Sequence, residues 1–203
     1  MKTTHFLLAP AFATMAFIFF ACSSTDFLEY GGQTYKTVKI NSQTWMAENL
    51  NYEAENSRCY DNNPDNCAKY GRLYKWETAM NVCPKGWHLP NNEDWNKLLR
   101  FVDGDTTSEN LYESPTAGKH LKAAKGWNDG GNGTDYYGFS ALPGGTGFSD
   151  GSFSRAGFYG RWWSASEQDS TNAYLRLMGH IHDYAFWHIY DKSLLFSVRC
   201  LQD

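Results

Sequence analysis

The sequence has no excess of positive charge: 18 Lys and Arg stand against 22 Asp and Glu, formally −4 with neutral histidines. No basic stripe breaks that balance, so nucleic acid is not an expected partner. There is no HExxH and no glycine-rich phosphate loop, so the common signatures of zinc proteases and NTPases are missing. No CxxC pair and no close Cys/His cluster occurs, which counts against a structural zinc site. Internal repeats and low-complexity tracts are lacking too. One long apolar run exists, at the start, and it is shorter than the roughly 20 residues a spanning helix needs.

That run is part of an address. Lys2 stands at the head with His5 nearby, and Phe6 to Phe20 is apolar except for Pro10 and Thr14. Ala21-Cys22 then follows. The three zones match a secretory signal, and a small residue before cysteine matches the bacterial lipoprotein cleavage box, with Phe19 where an aliphatic residue is usual. The expectation is a signal peptide over residues 1–21, cleavage before Cys22, and lipid on the Cys22 thiol. Several acyl chains anchor firmly because each buried methylene contributes roughly 0.8 kcal/mol. Ser23 after the cysteine suits the outer membrane, by similarity to other bacterial lipoproteins. The expected location is therefore the bacterial cell envelope, with the membrane reached through the N-terminal lipid. Residues 22–31 read as a tether and residues 32–203 as one domain, long enough to bury a core.

Five cysteines occur, and setting Cys22 aside leaves Cys59, Cys67, Cys83 and Cys200. An even set in an exported chain reads as disulfides, with three connectivities open. Cys59 and Cys67 flank a turn-forming stretch that suits a small local loop, which would leave Cys83 with Cys200.

Aromatic residues make up 17% of the chain, including eight tryptophans, and glycine is frequent, so loops held by aromatic packing are expected. Alternation over Thr34 to Ile40 predicts a half-buried strand, with Thr44-Trp45-Met46 returning as its hairpin partner. Leu73, Trp76, Ala79 and Met80 recur at helical spacing and predict a helix over Tyr70 to Val82, stopped by Cys83-Pro84-Lys85-Gly86. A second helix, capped by Asn91 or Asn92, would bury Trp95, Leu98, Leu99 and Val102. A shorter one covers Ala117 to Ala124. Short strands are expected at Phe139–Leu142, Arg161–Ser164, Ala173–Met178, Ala185–Tyr190 and Leu194–Leu201. The class read from this order is α+β, two helices packed on short antiparallel strands with long loops.

Six segments resemble the Fibrobacter succinogenes major paralogous domain family. They are Thr44-Trp45-Met46-Ala47-Glu48-Asn49-Leu50-Asn51-Tyr52, Tyr70-Gly71-Arg72-Leu73-Tyr74-Lys75-Trp76, Cys83-Pro84-Lys85-Gly86-Trp87-His88-Leu89-Pro90, Gly138-Phe139-Ser140-Ala141-Leu142-Pro143-Gly144-Gly145, Trp162-Trp163-Ser164 and Ser197-Val198-Arg199-Cys200. The resemblance runs from about residue 32 to the C-terminus. It implies a C-type-lectin-like fold related to formylglycine-generating enzymes, and it agrees with a cysteine after the first helix pairing with one in the final strand. It implies no mechanism. The oxidase activity of the related enzymes needs a reactive cysteine pair, and each cysteine here has a structural partner in prospect.

Three constellations are candidates for chemistry. Asp129, Asn132 and Asp135 offer side-chain oxygens on a glycine-rich loop, a candidate calcium site without EF-hand spacing; the alternative is a loop of Asx turns. His180 and His182, two apart, would share one face of a strand and reach one metal, with His188 joining from the next strand. Tyr159, Trp162, Trp163 and Trp187 are candidate ligand-binding rings. Adjacent strand residues face opposite sides, so one tryptophan of the Trp162-Trp163 pair is expected in the core and the other, Trp163, outward for stacking on sugars. Glu48, Glu77, Glu93 and Glu167 are available carboxylates whose separations sequence cannot set. The leading expectation is a non-catalytic, lectin-like envelope lipoprotein binding a polysaccharide or an envelope protein. The alternatives are a structural surface component and an enzyme derived from the related fold.

Overall fold

The computed structural model describes residues 26–104 and 113–203. The signal segment and Cys22 lie outside the described residues.

The alternating segment forms a strand as its pattern requires. β1 (Phe27–Tyr30), β2 (Gln33–Ile40) and β3 (Gln43–Met46) make an antiparallel meander. Asn41, at φ 53°, turns β2 into β3, a left-handed conformation that asparagine tolerates better than most residues. Phe27–Tyr30, read from the sequence as tether, is the edge strand. Next come β4 (Ser57–Arg58), α1 (Pro64–Tyr70), β5 (Leu73–Tyr74), α2 (Trp76–Ala79) and β6 (Trp87–His88). Then follow α3 (Asn92–Asp103), β7 (Glu113–Ser114) and α4 (Ala117–Leu121). The last third holds β8 (Thr146–Gly147), β9 (Phe153–Ser154), β10 (Tyr159–Glu167), β11 (Asn172–Gly179) and β12 (Ala185–Asp191), closing with β13 (Phe196–Ser197) and β14 (Leu201–Gln202).

These strands make a five-stranded sheet, β1-β2-β3-β14-β6, and a seven-stranded sheet, β4-β5-β13-β10-β11-β12-β7, with β8 and β9 as a small ribbon. The β10–β13 pair is parallel; the other named strand pairs are antiparallel.

The expected C-type-lectin-like α+β layout of two helices on short strands is overturned. Among the described residues fourteen strands build the sheets, and the four helices have 7, 4, 12 and 5 residues. The helix expected over Tyr70 to Val82 fails at Gly71, which has φ 76° and lies so close to Asn49 and Leu50 that a Cβ would sit 2.8 Å from their atoms. Leu73–Tyr74 is then drawn into the sheet opposite Ser197 and Phe196. The helical spacing of Leu73, Trp76 and Ala79 is met by a strand followed by one helical turn, and it leaves Met80 exposed. α4 stops at Leu121, because Lys122 turns extended to bridge Ala141. That bridge is all that forms of the strand expected over Phe139–Leu142.

α3 matches its expectation. The Asn91 side chain accepts from the backbone N–H groups of Glu93 and Asp94, and Asp94 returns a bond to Asn91, a capping box. Gly104, at φ 69°, ends the helix left-handed. Trp95, Leu98, Leu99 and Val102 are buried.

Two cores flank β10, the middle strand of the larger sheet. One gathers Trp45, Trp95, Phe139 and Trp162; the other gathers Tyr74, Trp76, Trp163 and Phe196. Disulfides join Cys59 to Cys67 and Cys83 to Cys200. The second bond ties the segment after α2 to the one before β14. No helix among the described residues is long and apolar enough to cross a membrane.

Candidate functional site

The scaffold of the site is one buried side chain. Asn49 follows β3, and its amide makes four bonds. Its Nδ2 donates to the Tyr70 carbonyl at 2.8 Å and to Ser197 Oγ at 3.4 Å. Its Oδ1 accepts from Trp162 Nε1 and from Arg199 Nη2, both at 2.8 Å. Every donor and acceptor of the amide is thereby used. Arg199 is fully buried and reaches onward, donating to the carbonyl of Phe139 and, at 3.2 Å, to that of Ser140. Segments near residues 49, 70, 140, 162 and 198 therefore meet in one network. Burial pulls the Arg199 pKa down to about 9, and the nearby carboxylates of Asp135 and Glu48 oppose that shift.

Above this network lies a groove of about 830 Å³. One wall is β2 with the segment after β3, contributing Lys36, Lys39 and Glu48. The other is the stretch from Ala123 to Leu142, contributing Lys125, Asp135, Tyr136 and Tyr137. Asp135 and Ser140 both take positive φ, 49° and 52°, and a bonded turn holds them there. The Asp135 carboxylate accepts from Ser140 N at 2.6 Å and from Ser140 Oγ at 2.5 Å. Arg199 grips the same turn from beneath. Tyr136 N donates to the His120 carbonyl, so the Tyr136 ring stands on fixed backbone and is 75% exposed. Its edge meets Tyr137, with ring centres 4.9 Å apart. On the opposite wall Glu48 accepts from the backbone N–H of Lys36 at 2.9 Å. Lys36, Lys39 and Lys125 are exposed, and no ion pair or side-chain hydrogen bond engages them among the described residues. A ring, three free ammonium groups and two positioned carboxylates can stack on and hydrogen-bond a polar chain laid along the groove.

The rings singled out from the sequence do not form a site. Trp162 and Trp163 are both 0% exposed, which corrects the expectation of one outward ring. The alternation argument holds, since they enter different cores, but β10 is covered on both faces. Trp163 Nε1 donates to the Tyr74 carbonyl at 2.8 Å and the ring packs on Phe196. Tyr159 is half-buried under the Arg161 guanidinium, and Trp187 meets Tyr174 edge-on on the sheet's other face. No groove gathers the four.

The calcium candidates take separate partners. Asn132 Oδ1 accepts from Trp127 N, Asp135 binds Ser140, and Asp129 lies 3.7 Å from His180. No group of three or more His, Cys, Asp or Glu able to hold a metal occurs among the described residues. The histidine expectation fails because β11 ends at Gly179. His180 and His182 therefore sit in a turn, His180 against Phe158 and His182 stacked on Tyr184, while His188 is near Tyr190. Of the four glutamates, Glu48 lines the groove and Glu77 a separate shallow pocket, while Glu93 pairs with Arg100 and Glu167 with Lys192.

Nothing in the sequence alone marks Lys36, Lys39, Lys125, Tyr136 and Tyr137 as one site. The adjacent tyrosines before Gly138 were the available signal. The lysines were not, because only folding places β2 against the stretch after α4.

A family model described as Fibrobacter succinogenes major domain matches residues 38–202. No curated protein matches the chain, and no solved structure does.

Proposed function

The chain belongs to the Fibrobacter succinogenes major domain family, and from that membership and the groove we propose a non-catalytic ligand-binding protein of the bacterial cell envelope that holds a polysaccharide chain. The observation that carries the reading is the Tyr136 ring, solvent-facing at the lip of an open groove yet fixed at its backbone. A ring carried on held backbone leaves only two side-chain torsions to be ordered on binding. Polar groups on both walls suit the hydroxyls of a sugar chain.

Location belongs to the same proposal. The apolar run ending at Cys22 and the two disulfides both support export into oxidising surroundings. In this reading Cys22 carries lipid and the protein sits at the outer membrane. Intact-mass analysis of native material should find a diacylglyceryl adduct on an N-terminal Cys22; an unprocessed Met1 terminus would contradict it.

The binding test is a polysaccharide array probed with the full chain in neutral detergent. Binding should weaken about tenfold in Tyr136→Ala, the loss typical of an anchoring aromatic ring, with the melting temperature unchanged. Binding to no polysaccharide would reject the glycan reading and leave an envelope-protein ligand or a purely structural envelope role.

A further inference from the structure

We infer that the groove selects an acidic polysaccharide, one carrying carboxylates along its chain, over the neutral form of the same backbone. The inference rests on the glycan reading above and adds the ligand's charge.

The argument is local charge against global charge. The whole chain is formally −4, yet Lys36, Lys39 and Lys125 all line one groove and the Arg199 guanidinium bonds the Ser140 carbonyl at its floor. Two carboxylates, Glu48 and Asp135, oppose these four cations. Both are already held, Glu48 by the backbone of Lys36 and Asp135 by two bonds from Ser140. Neither pairs with any of the three lysines. An ammonium group left unpaired in a concave, partly apolar groove raises the local concentration of anions. The tyrosines narrow the choice, since a small inorganic anion has no face to stack on a ring. A sugar acid offers both, an apolar ring face for Tyr136 and a carboxylate for the lysines.

The test uses matched pairs on the full chain in neutral detergent: polygalacturonate against its methyl ester, and carboxymethyl dextran against dextran. Affinity electrophoresis at two salt concentrations reads the difference. We expect the acidic member of at least one pair to bind about tenfold tighter, with the gap shrinking as salt screens the exposed lysines. The triple variant Lys36→Gln, Lys39→Gln, Lys125→Gln should lose the preference while melting like the parent, because all three side chains are exposed. Equal affinity within both pairs overturns the charge selection and leaves glycan binding intact. A preference that survives in the triple variant overturns the assignment to this groove. Binding to neither pair by a protein that binds neutral glycans on the array also overturns the inference, whereas an array blank throughout removes the glycan reading with it.

Discussion

Arg199 Nη2 lies 2.8 Å from Asn49 Oδ1, across a sequence separation of 150 residues. This charge-assisted bond joins the segment after β3 to the one before β14, and on it rests the turn that carries Tyr136. Cutting the Asn49 amide away would leave the Arg199 guanidinium and the Trp162 indole short of an acceptor inside the core. Asn49→Ala should therefore destabilise the fold by about 2–4 kcal/mol, since a buried donor left unsatisfied costs about 1–3 kcal/mol and a charged one more. Denaturant unfolding measures it, and a loss under about 1 kcal/mol would contradict the hub role.

Trp163 tests the corrected placement of the tryptophan pair. Its indole is fully buried and bonded to the Tyr74 carbonyl, so Trp163→Ala should cost about 3–5 kcal/mol and lower the melting temperature. A variant that melts normally but binds glycan poorly would return the ring to the surface.

The two disulfides should differ in weight. Cys83 and Cys200 are 117 residues apart, Cys59 and Cys67 only 8. Chain-entropy arithmetic gives about 5 kcal/mol for the long loop and about 2.5 kcal/mol for the short one. Replacing Cys83 and Cys200 with serine should accordingly destabilise more than replacing Cys59 and Cys67. Equal losses would point to residual structure in the unfolded chain.

Acid should loosen the turn before β11. Asp169 is held down to about 2 by bonds from Thr171 N and from the Asn172 and Thr171 side chains. A carboxyl lowered in the folded state stabilises above its unfolded value, here 3.8, and that contribution disappears as pH falls towards 2. Melting temperature should be steady above about pH 5 and fall below it, and Asp169→Asn should flatten part of the fall. An unchanged acid slope in that variant would contradict the assignment.

Legibility in the sequence followed the range of the interaction. The β2–β3 hairpin and α3 were readable because alternation, turn chemistry and caps act over a few neighbours. The apolar spacing over Tyr70–Val82 suits a helix, while the deciding contact, Gly71 against Asn49 and Leu50, is tertiary. The burial of both Trp162 and Trp163 was invisible for the same kind of reason, since alternation assigns faces but cannot say that both are covered. The groove was the least legible feature. Asp135 offers its oxygens in the sequence but serves Ser140 in the fold, and the lysines gain meaning only when β2 meets the loop after α4.

The most direct test of the central claim, that ligand lies between β2 and the Tyr136 turn, is hydrogen exchange. The full chain would be followed by mass spectrometry with and without the tightest-binding polysaccharide from the array. Slowed exchange over residues 36–48 and 123–142, with β10 to β12 unchanged, is the predicted pattern. Protection confined to the β10–β12 face around Tyr159 and Tyr190 would contradict it.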